Sequence, residues 1–456
     1  MLLIVAALAC REHGAARPPA AKLSPGLRRA LASSRPDDKL PVMVDLATQL
    51  DLDSLGAALR RQGLGRLERR RVVVTALRRV AEQGQAPLRP VLERLKRRGA
   101  VDSYRGVAVV NRFIVVATAA GIRALAERGE VAAVIEETAG GAEILAGGGG
   151  GGGGGVLRRA PRGRSSWALT AIGADRAWKQ GLDGRGVVVG LIDAGASAAH
   201  EQLKGNFRGG DGAWYDPSGR APTPRDGTTG HGTTLLSVAV GRNVRGLTVG
   251  VAPGARWVAC AGVPGGRYDN IALTECADWM LDVAQPDVLL NAWVLPTPGC
   301  DRSLARIVDA WRAAEILPVF AAGNNGPAAP SDASPANYAF SVGGVTRRGT
   351  AYPRSGRGPN SCDASIYPSV VAPAEDVPAA FPLAGTTYIR ANGTSVAAAV
   401  TAGAAALLLQ RFPETSVSQL ERALRAGARD LGPPGPDNTF GYGLLSVPGA
   451  LAALAH

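Results

Sequence analysis

Four segments far apart in the chain carry groups that could together transfer an acyl group through a hydroxyl. Asp193 follows the apolar run Val187 to Ile192, His231 precedes the apolar stretch Leu235 to Val240, and Ser395 precedes the almost wholly apolar Val396 to Gln410. A serine hydroxyl is a weak nucleophile at neutral pH and needs a base within hydrogen-bond reach. An imidazole can take its proton, and a carboxylate can hold the imidazole tautomer and stabilise the imidazolium. Asn324, in Ala322-Gly323-Asn324-Asn325-Gly326, adds an amide that could join the Ser395 backbone N–H as donor to a developing oxyanion. Taken singly, each group has a plainer role. Ser395 stands where a helix N-cap would stand, and His231 could be a capping or core histidine. Of the 4 histidines, His13 and His456 lie near the termini, which leaves the base between His231 and His200.

The elements that must position these groups are legible as a pattern. Val187 to Ile192, Trp257 to Cys260, Val288 to Asn291 and Leu317 to Ala321 are continuous apolar runs, which suit parallel strands covered on both faces. Their alternation with helical stretches predicts a doubly wound, mostly parallel α/β sheet, in which ligands bind beyond the carboxyl ends of strands. Asp193 stands at such an end. Upstream, the pattern is different. Pro41 to Leu46 reads as a strand, Val72 to Leu95 as a helix, Val107 to Thr118 as one or two strands, Ala120 to Arg128 as a helix and Val131 to Ile135 as a strand. This mixture predicts a small α+β domain. The expected organisation is therefore an export-signal-like segment at 1–10, a tether rich in Pro, Ala, Ser and Arg at 11–37, a small domain at 38–139, a linker at 140–166 and a large domain at 167–456. The linker contains nine consecutive glycines, Gly147 to Gly155, whose ordering would cost the most backbone entropy of any residue type.

Composition excludes some functions. The chain has 456 residues and a formal net charge of +13, but much of the positive charge lies between Arg60 and Arg98. No aromatic residues interleave there to stack on bases, so a solvated helix face is expected rather than a nucleic-acid surface. The first residues are apolar and end Ala7-Leu8-Ala9-Cys10, which resembles a bacterial lipoprotein cleavage site with Cys10 as the lipidated residue. No other apolar stretch approaches the ~20 residues needed to span a bilayer. Setting Cys10 aside leaves Cys260, Cys276, Cys300 and Cys362, an even count that suits two disulfides in an exported chain. Three pairings exist, and Cys260 with Cys276 is favoured because it closes a short strand-to-helix loop. No histidine lies near these cysteines at metal-ligand spacing. The sequence specifies no metal site, and structural calcium is left open.

Residues 167 to 456 resemble the catalytic domain of the subtilisin-like serine proteases, the subtilases. The likeness runs from Trp167-Ala168-Leu169-Thr170-Ala171-Ile172-Gly173-Ala174 through the four segments above to Gly441-Tyr442-Gly443-Leu444-Leu445. The order Asp, His, Ser along the chain is the subtilisin order. Val251 to Trp257, Asp309 to Ala314 and Ser334 to Tyr338 narrow the likeness within the family. The resemblance implies Asp193, His231 and Ser395 as a catalytic triad and Asn324 as oxyanion donor. It implies a structural role for His200 and a substrate groove along Ala292, Trp293, Val294, Ala321, Ala322 and Gly323. Residues 40 to 137 resemble the propeptide of the same enzymes, which chaperones the catalytic domain and inhibits it until cleaved.

The chain also departs from the family pattern. Ala194 stands where Thr or Ser is usual, and Thr234 where a second His is usual. Ser395-Val396-Ala397-Ala398-Ala399 lacks the usual Met and Pro, and Ala292-Trp293-Val294 replaces Ser-Trp-Gly. None of these changes removes a proton-transfer group. The expectation is a serine endopeptidase made as a zymogen, acting on peptides or proteins without a cofactor, and exported as a secreted or envelope-anchored bacterial protein. Its own 38–139 domain would be its intramolecular inhibitor. A degenerate subtilase that binds or scaffolds is the competing expectation.

Overall fold

The computed structural model of the chain describes residues 10–12, 18–138, 166–227, 229–244, 246–295, 299–328 and 335–455. The apolar start at 1–9 and the glycine run at 147–155 lie outside the described residues. The chain divides into two units, residues 1–139 with 269–282, and residues 140–268 with 283–456.

The first unit is built on a four-stranded antiparallel sheet of β1 (Lys39–Leu46), β2 (Val101–Val107), β3 (Arg112–Thr118) and β4 (Val131–Glu136), in the order β2-β3-β1-β4. Alternation sorts its side chains. Val42, Val44 and Leu46 of β1 and Phe113, Val115 and Ala117 of β3 enter one buried core. Met43, Asp45 and Arg112 take the opposite face. There Arg112 bonds the Asp45 carboxylate at 2.7 Å and the Thr274 hydroxyl at 3.2 Å. Thr274 lies on the helix Asn270–Trp279, which the sequence pattern had assigned to the large domain. Its polar side chains explain why it packs with the small sheet. Asp278 accepts from the backbone N–H groups of Ala108 and Val109 at 2.9 and 2.8 Å, Glu275 pairs with Arg105 at 2.7 Å, and Asp282 pairs with Arg78. The Asn270 amide donates to Glu136 O and accepts from Thr138 N, both at 3.1 Å.

Three expectations for this unit are corrected. The single helix over Val72 to Leu95 is two, α2 (Arg66–Gln85) and α3 (Arg89–Arg97), because Pro87 and Pro90 lack the N–H donors that would continue one ladder. The solvated basic face holds for Arg71, Arg78 and Arg79, but Arg66 and Arg70 are buried. Within the expected tether at 11–37, residues 19–33 are structured. Pro19–Lys22 is helical, and α1 (Pro25–Ser33) starts with Ser24 Oγ accepting from Leu27 N and with Pro25 in its first turn. Leu27 and Leu31, four residues apart, face the core beside Ile122 and Leu125 of α4 (Ala119–Ala126). Composition hid that spacing.

The second unit carries a seven-stranded sheet. Its strands are β5 (Val188–Asp193), β6 (Trp214–Tyr215), β7 (Arg256–Ala261), β8 (Val288–Asn291), β9 (Leu317–Ala321), β10 (Phe340–Val345) and β11 (Val370–Pro373). Their order is β11-β10-β9-β8-β5-β7-β6, with every neighbouring pair parallel. After β5 the chain builds β6 and β7 on one side and then returns to build β8 on the other. The carboxyl end of β5 is therefore the point where the winding reverses and a crevice opens. Two helices pack together over this sheet, α5 (His231–Val240) and α6 (Thr394–Arg411). The latter is long and apolar enough to cross a membrane, yet 89% of it is buried, as a core helix requires. A hairpin of β12 (Val377–Phe381) and β13 (Thr387–Ala391) leads into α6. Cys300 and Cys362 are disulfide-bonded across a sequence separation of 62, and Cys260 and Cys276 are also in disulfides.

Leu27→Ala is expected to lower the opening free energy of the first unit by about 2–5 kcal/mol, the usual cost of truncating a buried leucine. Hydrogen exchange of β1 and β3 amides in the full chain measures it, and unchanged exchange would restore the tether.

Candidate active site

The end of β5 meets the start of α5, and there Asp193 and His231 come together. Asp193 is the last residue of β5 and is fully buried; its Oδ1 accepts from Ala194 N at 2.8 Å. His231 is the first residue of α5. Its Nδ1 lies 3.0 and 2.9 Å from the two carboxylate oxygens of Asp193. The carboxylate can only accept, so Nδ1 carries the proton and Nε2 is the nitrogen with a lone pair to offer. Ser395 stands in the first turn of the 18-residue α6, where backbone N–H groups are unpaired within the helix and the dipole is positive. Gly393, two residues before it, has φ of 122° and no side chain to cap with, and its carbonyl accepts from Val396 N at 3.0 Å.

Asn324 follows β9, and its orientation is set by Thr394, the residue before Ser395. Its Oδ1 accepts from Thr394 N at 2.9 Å and from Thr394 Oγ1 at 3.0 Å. With the carbonyl side of the amide turned to Thr394, the NH2 side is the donor that remains. Thr394 Oγ1 also reaches Gly323 O at 3.2 Å, tying the Asn324 loop to the start of the serine helix.

Close approach between β5 and α5 depends on two glycines. A Cβ on Gly232 would lie 1.9 Å from Gly195 O, and Gly195 has φ of 132° with its own Cβ position 2.3 Å from Arg225 O. Only hydrogen at these positions lets the first turn of α5 meet the turn after Asp193. One departure from the family pattern, Thr234, also acquires a local role, shared with Ser237. Thr234 Oγ1 donates within reach of Gly230 O and Ala380 O, each at 2.9 Å, and Ser237 Oγ accepts from Ala380 N at 2.8 Å. Together they pin β12 against α5.

His200 is placed differently from His231. Its Nδ1 accepts from Gln202 N at 3.2 Å, so its Nε2 carries the proton and donates to Thr387 O at 3.0 Å. Burial pushes its pKa down, and the ring is held neutral between the 200–203 turn and β13. The groove candidates are placed on strand ends. Ala292 and Trp293 follow β8, and the Trp293 ring is buried edge-on against Phe320 with centroids 5.4 Å apart. Its side chain therefore belongs to the core, and Val294 is half-buried. Ala321 ends β9; Ala322 O accepts from Tyr367 Oη and Gly323 O from Gly356 N, both at 2.8 Å.

A family model described as the subtilase family matches residues 184–443, a stretch that contains Asp193, His231, Asn324 and Ser395. The chain belongs to the subtilase family. It is 30% identical to bacillopeptidase F of Bacillus subtilis (strain 168) over 419 residues, which cover 85% of this chain and 29% of that protein. It is 32% identical to subtilisin BL of Lederbergia lenta over 289 residues, which cover 62% of this chain and 97% of that protein. An alkaline protease of Shouchella clausii is similar at 32% identity, over 62% of this chain and 69% of its own length. The chain thus spans less than a third of bacillopeptidase F but nearly all of subtilisin BL.

Two outcomes are expected from these contacts. Gly232→Ala should force α5 away from the Asp193 turn, which a lower melting temperature and loss of the downfield Nδ1 proton resonance of His231 would report. His200 takes up a proton less readily folded than unfolded, where its pKa is about 6.5. Below that pH the unfolded chain binds more protons, so stability falls as pH drops through about 6.5. Urea unfolding at pH 5 and pH 8 should show a smaller difference for His200→Gln than for the parent chain.

Proposed function

We propose that this chain is an exported serine endopeptidase, made as a zymogen, that cuts peptide bonds through an acyl-enzyme. The observation that carries the reading is the double contact of His231 Nδ1 with the buried Asp193 carboxylate, at 3.0 and 2.9 Å. It turns Nε2 into a base, in a chain of the subtilase family whose serine helix begins at Thr394.

In this reading Ser395 Oγ attacks the scissile carbonyl carbon while His231 Nε2 takes its proton. Asp193 holds the ring and stabilises the imidazolium. The carbonyl oxygen becomes an oxyanion that accepts from Asn324 Nδ2 and Ser395 N. His231 then returns the proton to the departing amine, which leaves an ester on Ser395. Water attacks that ester with His231 again as base, and the acid and the free hydroxyl are regenerated. No cofactor takes part. The substrate backbone would run along 292–294 and 321–323, with small side chains at Ala292, Ala321, Ala322 and Gly323 leaving room beside it.

Residues 38–139 act as the intramolecular inhibitor, and the segment 140–166 is where processing separates them from the enzyme. Disulfide-bonded cysteines suit an oxidising compartment. Lipidation at Cys10 would anchor the protein to the cell envelope, and its absence would leave it secreted.

Ser395→Ala is expected to abolish labelling by a fluorophosphonate probe and cleavage within 137–166, read by intact mass. Asn324→Ala should lower kcat by ~10²–10³-fold with little change in KM, the range known for removing such a donor from a subtilisin. Absence of labelling in correctly processed parent protein would favour a binding or scaffolding subtilase.

A further inference from the structure

Asp226 is a buried carboxyl beside the base that the mechanism above does not use. Its Oδ2 accepts from Thr233 N at 2.7 Å, and its Oδ1 is buried with no hydrogen-bond partner among the described residues. Thr233 is the third residue of α5, whose first residue is His231 and whose N-cap, Gly230, has φ of 67° and no side chain to cap with. Asp226 thus does from five residues upstream what an N-cap side chain normally does. The same segment touches the acid. Gly195, two residues beyond Asp193, has its Cβ position 3.2 Å from Asp226 Cα, and that of Gly227 is 3.4 Å from Ala194 O. Asp226 therefore bridges the turn that follows the acid and the helix that starts with the base.

We propose that Asp226 is a positioning residue for His231: it fixes the start of the base's helix, and its negative charge raises the proton affinity of the imidazole. The proposal rests on His231 being the base. The ionisable groups facing Asp226 are Asp193 at the end of β5 and His231 on α5. Burial, and then the charge of Asp193, push its pKa up, while the Thr233 hydrogen bonds and His231 pull it down; the balance is about 7. Above that pH two carboxylates, Asp193 and Asp226, stabilise the imidazolium that forms as Ser395 gives up its proton. Below it Asp226 is neutral and the base is weaker.

Asp226→Asn keeps an oxygen that can accept from Thr233 N and removes only the charge. Loss of a nearby negative charge destabilises the imidazolium, so the acid limb of kcat/KM should move down by about 0.5–1 pH unit. Asp226→Ala also removes the cap and should lower kcat severalfold more than Asp226→Asn, with KM little changed. A residue that merely caps would lower stability in Asp226→Ala and leave the acid limb where it was in both variants, which would overturn the proposal. Histidine-selective NMR in a Ser395→Ala background reads the His231 titration without activity. The same downward shift is expected there, and identical titrations with Asp and Asn at 226 would sink the idea. Should Asp226→Asn not fold, the parent chain still decides, because the His231 ring signals should show a second inflection near pH 7 as Asp226 ionises. Persisting turnover in Ser395→Ala would instead defeat the proposed function itself, so the two failures are distinguishable.

Discussion

The second unit is organised around one contact, the Asp193 carboxylate against the His231 Nδ1–H. Asp193 is completely buried, and a carboxylate removed from water is tolerated only when its oxygens are hydrogen-bonded and its charge is answered. Ala194 N and His231 Nδ1 answer it. The pairing demands that the end of a central strand and the start of a helix nearly touch. That demand explains the glycines at 195 and 232, the reversal of winding at β5, and the hairpin pinned by Thr234 and Ser237.

The oxyanion side is built by a second, independent contact. Thr394 presents both its N–H and its hydroxyl to the Asn324 carbonyl, so the amide cannot turn over without losing two bonds. One residue therefore joins the loop after β9 to the helix that carries Ser395. In the proposed mechanism the donor and the nucleophile are thereby referenced to the same backbone turn, which leaves little reorganisation for the moment when charge develops.

The first unit obeys different physics. Its sheet buries one face in an aliphatic core and turns Met43, Asp45 and Arg112 to a helix rich in acids, Asn270–Trp279. Asp278, capped by two consecutive backbone N–H groups, is the most buried of those acids, and burial pushes its pKa up along with that of Glu275. These polar bonds join segments far apart in the sequence, which hydrophobic patterning does not record.

Much of the site was legible in the chain. Continuous apolar runs marked β5, β8 and β9 within a residue or so, because strands covered on both faces leave no polar side for the pattern to hide. The order Asp193, His231, Ser395, with Asn324 between, was likewise a property of the sequence, since residue type and chain order need no coordinates. Tertiary structure decided what depends on contacts between distant segments. It chose His231 over His200 at Asp193, turned Trp293 into the core, drew residues 19–33 into the small unit, and set Asp226 against Thr233 of the His231 helix and Thr394 against the Asn324 amide. Those roles exist only where separated pieces of backbone meet within hydrogen-bond distance, and no local pattern records such a meeting.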